Sequence, residues 1–505
     1  MTLAFGNITR YALGFQIPNR TQEIKMHIRP SEFQVYSFSV PMPTEHSPAP
    51  SFTLSLKERM QEREMQNSIE IAEDQTLAIT PTPNLALDTL KSFVRTNGAR
   101  ISSIRLSSKM EGLEANGSAR EILSHCSGLR SLTLFDIGLS DRDLDLGAHP
   151  ELESLDLSWC PSLGSGTASQ FEKLTKLKHL NLDYCECIDD TLGTHIEKLT
   201  QLETLSLMEC NGITDAIGPH LTGLKNLTSL TLMSTRISDA IGSHLEKLPQ
   251  LRSLTLYAMD RLTDAIGPHL QRLSQLEQLD LNCCDNITDA IGPFLMELVN
   301  LVSLELNRAK LTDAFFPYLD KLTKLQNLNL HSWNGISDAV GPYLESHTQL
   351  KRLELHGCNL SDAIGPHLEK LQGLERLDIH SSPMITDALG AHIRKLGRLK
   401  GLLLSYAPHL TDTIGQDIKH LENLELLSLV GNRGISAQIA HSFEGLQKLR
   451  HLYLNHCKDL LPEDGQHFEK LCQLQFLGLS GRPATAAALR QHLQTTLPDL
   501  KVSFW

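Results

Sequence analysis

The chain has 505 residues, 41% hydrophobic and 21% charged, with a formal net charge of −13. No apolar run approaches the roughly 20 residues that cross a bilayer as a helix. The acidic balance is spread along the chain with no Lys/Arg stripe, which argues against nucleic acid or anionic membrane as partners. These features predict a soluble monomer that meets other proteins and does not insert into membranes.

The first residues, MTLAFGNITRYALGFQ, lack a basic start followed by an apolar core, so a cleavable secretory signal is not expected. Residues 1–54 read as a disordered leader that would hold an export signal, closing on the Pro/Ser-rich stretch PMPTEHSPAPSFT. Residues 55–84 read as a charged, exposed helix within Leu56 to Asp74, followed by a TPTPN linker. Residues 85–128 read as an N-terminal cap and first repeat, with a helix over Asp88 to Thr96, a stop at Gly98 and a strand over Ile101 to Leu106.

Over residues 129–498 the pattern L-x-x-L-x-L recurs, as Leu129-Leu132-Leu134, Leu152-Leu155-Leu157 and onward to Leu474-Leu477-Leu479, with starts 23 to 25 residues apart. In LETLSLMEC, Leu202, Leu205 and Leu207 point to one side, and Thr204, Ser206 and Met208 to the other. One strand per repeat would pair with its neighbour in a parallel sheet whose leucines fill a continuous core. Between strands lies a return segment, ITDAIGPHL at 213–221, repeated with few changes. Thr214 or Asp215 is placed to accept a backbone N–H, and Pro219 predicts a break near Gly218 with a short helical stretch opening at Pro219. Residues 499–505 read as a terminal cap strand, with Phe504 and Trp505 covering the last core layer.

The period, the alternating leucines and the Cys or Asn that closes many of the turns, where other units carry Thr235, Met259, Ala309, Trp333 or Ala407, resemble the leucine-rich repeat family, over about residues 100–505. The cysteine-containing class is the nearest in pattern, although the repeat length and the LTDAIGPHL segment also resemble the plant-type class. The resemblance implies an α/β solenoid, a horseshoe with one parallel concave sheet and short helical or irregular convex segments. It also implies that the side chain at Cys160, Cys185, Cys210, Cys284, Cys358 and Cys457 turns inward, which fits buried free thiols in a reducing, cytoplasmic compartment.

Several residue sets stand out on this frame. His195, His220, His244, His269, His367 and His392 share one return-segment slot with Phe294, Tyr318 and Tyr343, so packing is expected there and a metal ladder is not. On the open face of the sheet, His331, His356 and His380 fall in adjacent repeats, beside Arg352, Arg376, Glu354 and Asp378, with Trp333 close in sequence. This predicts a solvent-facing, mixed-charge patch for a partner, in which loss of His356 and Arg352 would leave stability almost unchanged. Trp159, Tyr184, Tyr406 and Tyr453 are further candidate anchors. Strand spacing is expected to place the ring nitrogens too loosely for a metal, and no cofactor is expected. The sequence has no G-x-x-x-x-G-K-[ST], G-x-S-x-G, H-E-x-x-H or C-x-x-C, so an enzyme is not expected.

The functional expectation is a non-enzymatic, protein-binding scaffold that uses its concave face. Near-identical repeats behind a Pro/Ser-bearing leader resemble bacterial effector proteins with leucine-rich repeats, which implies export into a host cytoplasm by a non-classical secretion system. The alternative is a substrate receptor of a cullin-type ubiquitin ligase, with a divergent or missing F-box.

Overall fold

The computed structural model describes residues 69–71, 77–81, 85–110, 113, 117–233, 236–331, 335–458, 461–481 and 483–504. The expected leader over 1–54 lies outside the described residues, as do Trp333 and Trp505.

Among the described residues, nineteen strands run in chain order from β1 (Ile69–Ile71) to β19 (Lys501–Phe504) in a single sheet. β1 pairs antiparallel with β2 (Leu77–Ile79), and from β2 onward each strand is parallel to the next. The expected helix over Leu56 to Asp74 is corrected at its end, because Ile69–Ile71 is strand. Its Ile-Glu-Ile alternation has the two-residue period of a sheet.

β7 (Thr204–Met208) shows how one repeat is built. Leu205 and Leu207 are each 1% exposed, Thr204, Ser206 and Met208 are half-buried, and Leu205 stands beside Leu230 of β8 (Ser229–Met233). Repetition of this register makes the leucines one uninterrupted core. Two residues after the last strand leucine the backbone turns through the left-handed region, at Trp159 (φ 62°), Tyr184 (φ 59°), Tyr406 (φ 56°) and His456 (φ 57°). Gly357 and Gly431 hold the same place at no steric cost.

The next residue turns inward. Cys160, Cys185, Cys210, Cys284 and Cys457 each donate Sγ–H to a carbonyl of the preceding repeat, with Cys210 to Leu182 O at 3.0 Å. Asn432 takes over this role with two bonds, to Leu404 O at 2.8 Å and Leu429 O at 2.9 Å, and accepts the Ala407 N–H. All ten cysteines are free thiols, and burial pushes the Cys210, Cys284 and Cys457 thiols up to about 12.

The return segment is a 3-10 turn, Asp215–Ile217, followed by a helical turn, Gly218–Leu221, that opens one residue before Pro219. Thr214 caps it by accepting the Ala216 N–H at 3.2 Å. Asp215 does something the sequence did not suggest. Its carboxylate reaches the next repeat and accepts both the N–H and the hydroxyl of Ser238, at 2.9 and 2.6 Å. The same clasp runs from Asp190 and Thr214 to Asp412 and Ser436.

The ring slot is explained by its neighbour. A Cβ added at Gly193, Gly218, Gly242, Gly267 or Gly292 would overlap the ring of His220, His244, His269, Phe294 or Tyr318 in the next repeat. Any flat ring suits this contact, so His, Phe and Tyr interchange. Where histidine is used, Nδ1 commonly meets a glutamate of the preceding repeat, as in His220 with Glu197 at 2.6 Å and His392 with Glu369 at 2.9 Å.

The ends close the core. The helix Leu87–Asn97 buries Leu90 and Val94, and the strand Ile101–Ser107 follows. At the C-terminus an Ala-rich helix, Pro483–Thr496, replaces the usual return segment and buries Leu489 and Leu493. Phe504 packs partly buried against the core, with the Arg490 guanidinium 5.3 Å from its ring centroid.

Candidate binding surface

The open face of the sheet is built by side chains that alternate with the core leucines. In β13 (Arg352–His356), Leu353 and Leu355 face the core while Arg352, Glu354 and His356 face away. β14 (Arg376–Asp378) pairs in parallel register, placing Arg376 beside Arg352 and Asp378 beside Glu354. The flanking β12 (Asn327–His331) sets the His331 backbone beside His356.

Six of the residues expected in the patch form one connected cluster. Arg352 Nε and Arg376 Nε both donate to Glu354 Oε1, at 2.6 and 2.9 Å. His356 Nε2 lies 3.2 Å from Asp378 Oδ2 and 3.7 Å from Glu354 Oε2, and His380 Nδ1 lies 2.9 Å from Asp378 Oδ1. The two imidazoles pack ring on ring, with centroids 4.0 Å apart and planes inclined by 36°. Burial works against ionisation of Asp378, but hydrogen bonds from His356 and His380 outweigh it and hold its carboxyl well below the usual range.

The facing agrees with expectation, while the burial does not. Glu354 and Asp378 are each 3% exposed, because long arginine stems and stacked imidazoles on strands about 4.8 Å apart cover the shorter acids. This burial changes the expected outcome of losing His356 and Arg352 from near-neutral to destabilising. That loss would strip partners from two buried carboxylates, and a lowered melting temperature is the expected result. The ring nitrogens also lie close to a shared carboxylate. Ligand atoms of His356, Asp378 and His380 all lie within 4.8 Å of one another.

The aromatic candidates lie elsewhere. Trp159 and Tyr184 stack with centroids 4.0 Å apart and planes at 16°, leaving Trp159 41% exposed. They sit in the left-handed turns that end their strands, far along the sheet from β13. Tyr406, 48% exposed, occupies the same turn one repeat beyond β14, and its ring covers Gly431. Tyr453 ends β17 (His451–Tyr453) and leans on Phe476, with centroids 5.1 Å apart.

A second acidic group on this face was not singled out in the sequence. Asp280 of β10 (Gln278–Asp280) stands beside Glu305 of β11 (Ser303–Asn307). Asn282 donates to Glu305 Oε2 at 2.8 Å and accepts the Asn307 N–H at 2.7 Å. Burial, reinforced by the Glu305 charge, pushes the Asp280 carboxyl up to about 7 against one hydrogen bond from the Asn282 backbone. The available signal was positional, since Asp156, Asp280, Glu305, Glu354 and Asp378 share one column.

Residues 128–364 match a family model described as a leucine-rich repeat region. No curated protein matches the sequence. Among solved structures the chain is similar to the internalin inlF of Listeria monocytogenes str. 4b F2365, at 22% identity and TM-score 0.42, covering 75% of this chain and 87% of that one. It is also similar to a structure of the Rad7 and Elc1 complex in yeast, at 16% identity and TM-score 0.46, covering 77% and 95%. A third likeness is to the TLR13–ssRNA13 complex, at 20% identity and TM-score 0.43, covering 76% and 58%.

Proposed function

This chain carries a leucine-rich repeat region within a solenoid of such repeats, and from that premise we propose that it is a protein-binding scaffold whose partner lies along the open sheet. Eighteen parallel strands at about 4.8 Å offer roughly 80 Å of continuous face, ample for a standard interface. The observation that carries this reading is the pairing of a rigid, internally bonded charge cluster at β13 and β14 with large exposed rings at Trp159 and Tyr406. Fixed aromatics lose little entropy on contact, and pre-paired charges present one pattern rather than many.

The finer role we propose is that of an effector exported into a host cytoplasm. It is supported by the leader sequence and by thiols that are all unpaired. The test is affinity capture with the full chain from host and source-cell lysates, comparing wild type with Trp159→Ala, Tyr406→Ala and Arg376→Ala. Loss of the same host proteins in at least one variant, with an unchanged melting temperature for the aromatic changes, is expected. Identical sets retained by all three variants would remove the sheet face as the binding surface. Retention of cullin and adaptor components alone would replace the effector with a ligase receptor.

A further inference from the structure

We propose that His356, Asp378 and His380 form a binding site for one divalent transition-metal ion, with Zn²⁺ as the representative case. The inference is independent of which protein the solenoid binds.

The distances are those of a ligand set. With metal–nitrogen and metal–oxygen bonds near 2.0–2.1 Å, the edges of a tetrahedral site are about 3.3 Å. His356 Nε2 lies 3.2 Å from Asp378 Oδ2 and His380 Nδ1 lies 2.9 Å from Asp378 Oδ1, so the carboxylate meets one imidazole at each of its oxygens. One ligand atom from each residue can be chosen so that all three lie within 4.8 Å of one another, and rotation of the half-exposed His380 ring and of the carboxylate would bring them to tetrahedral spacing. Two of the ligands, His356 and Asp378, lie on adjacent strands whose hydrogen-bonded register fixes their separation, and His380 follows Asp378 by two residues.

Charge points the same way. Arg352 and Arg376 both turn onto Glu354, whereas the groups turned onto the buried Asp378 carboxylate are the two imidazoles. A divalent ion held by these three residues would bring positive charge to that carboxylate. Two imidazole nitrogens and one carboxylate, without a thiolate, suit Zn²⁺, Co²⁺ or Ni²⁺ better than Ca²⁺ or Mg²⁺, which prefer all-oxygen shells. Three protein ligands leave a position facing the open side of the sheet, where water completes the shell.

The test uses the full chain, freed of metal by a chelator and titrated with Zn²⁺ by calorimetry and with Co²⁺ by visible absorption. We expect one Zn²⁺ per chain and a cobalt spectrum with nitrogen ligation. His380→Ala should weaken binding at least tenfold while lowering the metal-free melting temperature only modestly, since Asp378 keeps its His356 contact. Asp378→Asn should abolish the cobalt signal. His441→Ala serves as the control, because His441 and His467 form another close imidazole pair, at 2.7 Å. The proposal is overturned by no saturable binding below about 100 µM, by affinity unchanged in His380→Ala, or by loss of the site in His441→Ala instead.

Discussion

At Asp280 the fold holds a carboxyl in surroundings that favour its neutral form, with Glu305 on the neighbouring strand adding to the effect of burial. Its folded-state value of about 7 lies above the unfolded value near 4, so between those limits the folded chain binds the extra proton. Stability should therefore fall as pH rises through that window. Asp280→Asn keeps an oxygen for the Asn282 N–H and removes the charge, so it should stabilise the protein by about 1–3 kcal/mol at pH 8 and by almost nothing at pH 4. Denaturant melts at the two pH values read this directly, and an equal effect at both would mean that Asp280 is ordinarily ionised in the folded chain. Neighbouring residues of the same column behave differently because their partners differ. Asp378 has two imidazoles against it, Glu354 has two guanidinium groups, and Asp280 has another carboxylate.

The return segment owes its near-identity from repeat to repeat to contacts made between copies rather than within one. Asp215 holds Ser238, and Gly218 makes room for the ring of His244, so each copy is fitted to the one after it. Gly267→Ala should cost about 1–3 kcal/mol by forcing a methyl against the Phe294 ring. Gly445→Ala, with open space around it, should not. Combining Gly267→Ala with Phe294→Ala should cost less than the two changes summed, because the collision is removed along with the ring. A strictly additive pair would place the ring elsewhere.

Across the whole repeat array each layer touches only its neighbours, so stability is local and the ends matter most. The C-terminal helix Pro483–Thr496 and β19 cover the last leucine layer, including Leu477 and Leu479. Removing residues 483–505 should raise amide hydrogen exchange in β17 and in β18 (Phe476–Leu479) while leaving β7 to β10 protected as before. Uniform loss of protection along the chain would contradict a nearest-neighbour solenoid.

The leucine period, the strand facing, the inward cysteine and the capping helix at Leu87–Asn97 were all legible in the sequence, because they depend on a pattern repeated within one chain and on rules that act over a few residues. The sequence also placed Arg352, His356 and His380 on one face. What it did not contain was the relation between side chains some 22 to 25 residues apart, which strand register alone creates. That relation turns Asp215 from a cap into a clasp, covers Glu354 and Asp378, and raises the Asp280 carboxyl. It also draws His356, Asp378 and His380 within 4.8 Å. The physical reason is that a parallel sheet brings every repeat's equivalent positions to about 4.8 Å, so what a residue does is set by its counterpart in the next repeat as much as by its own neighbours in the chain.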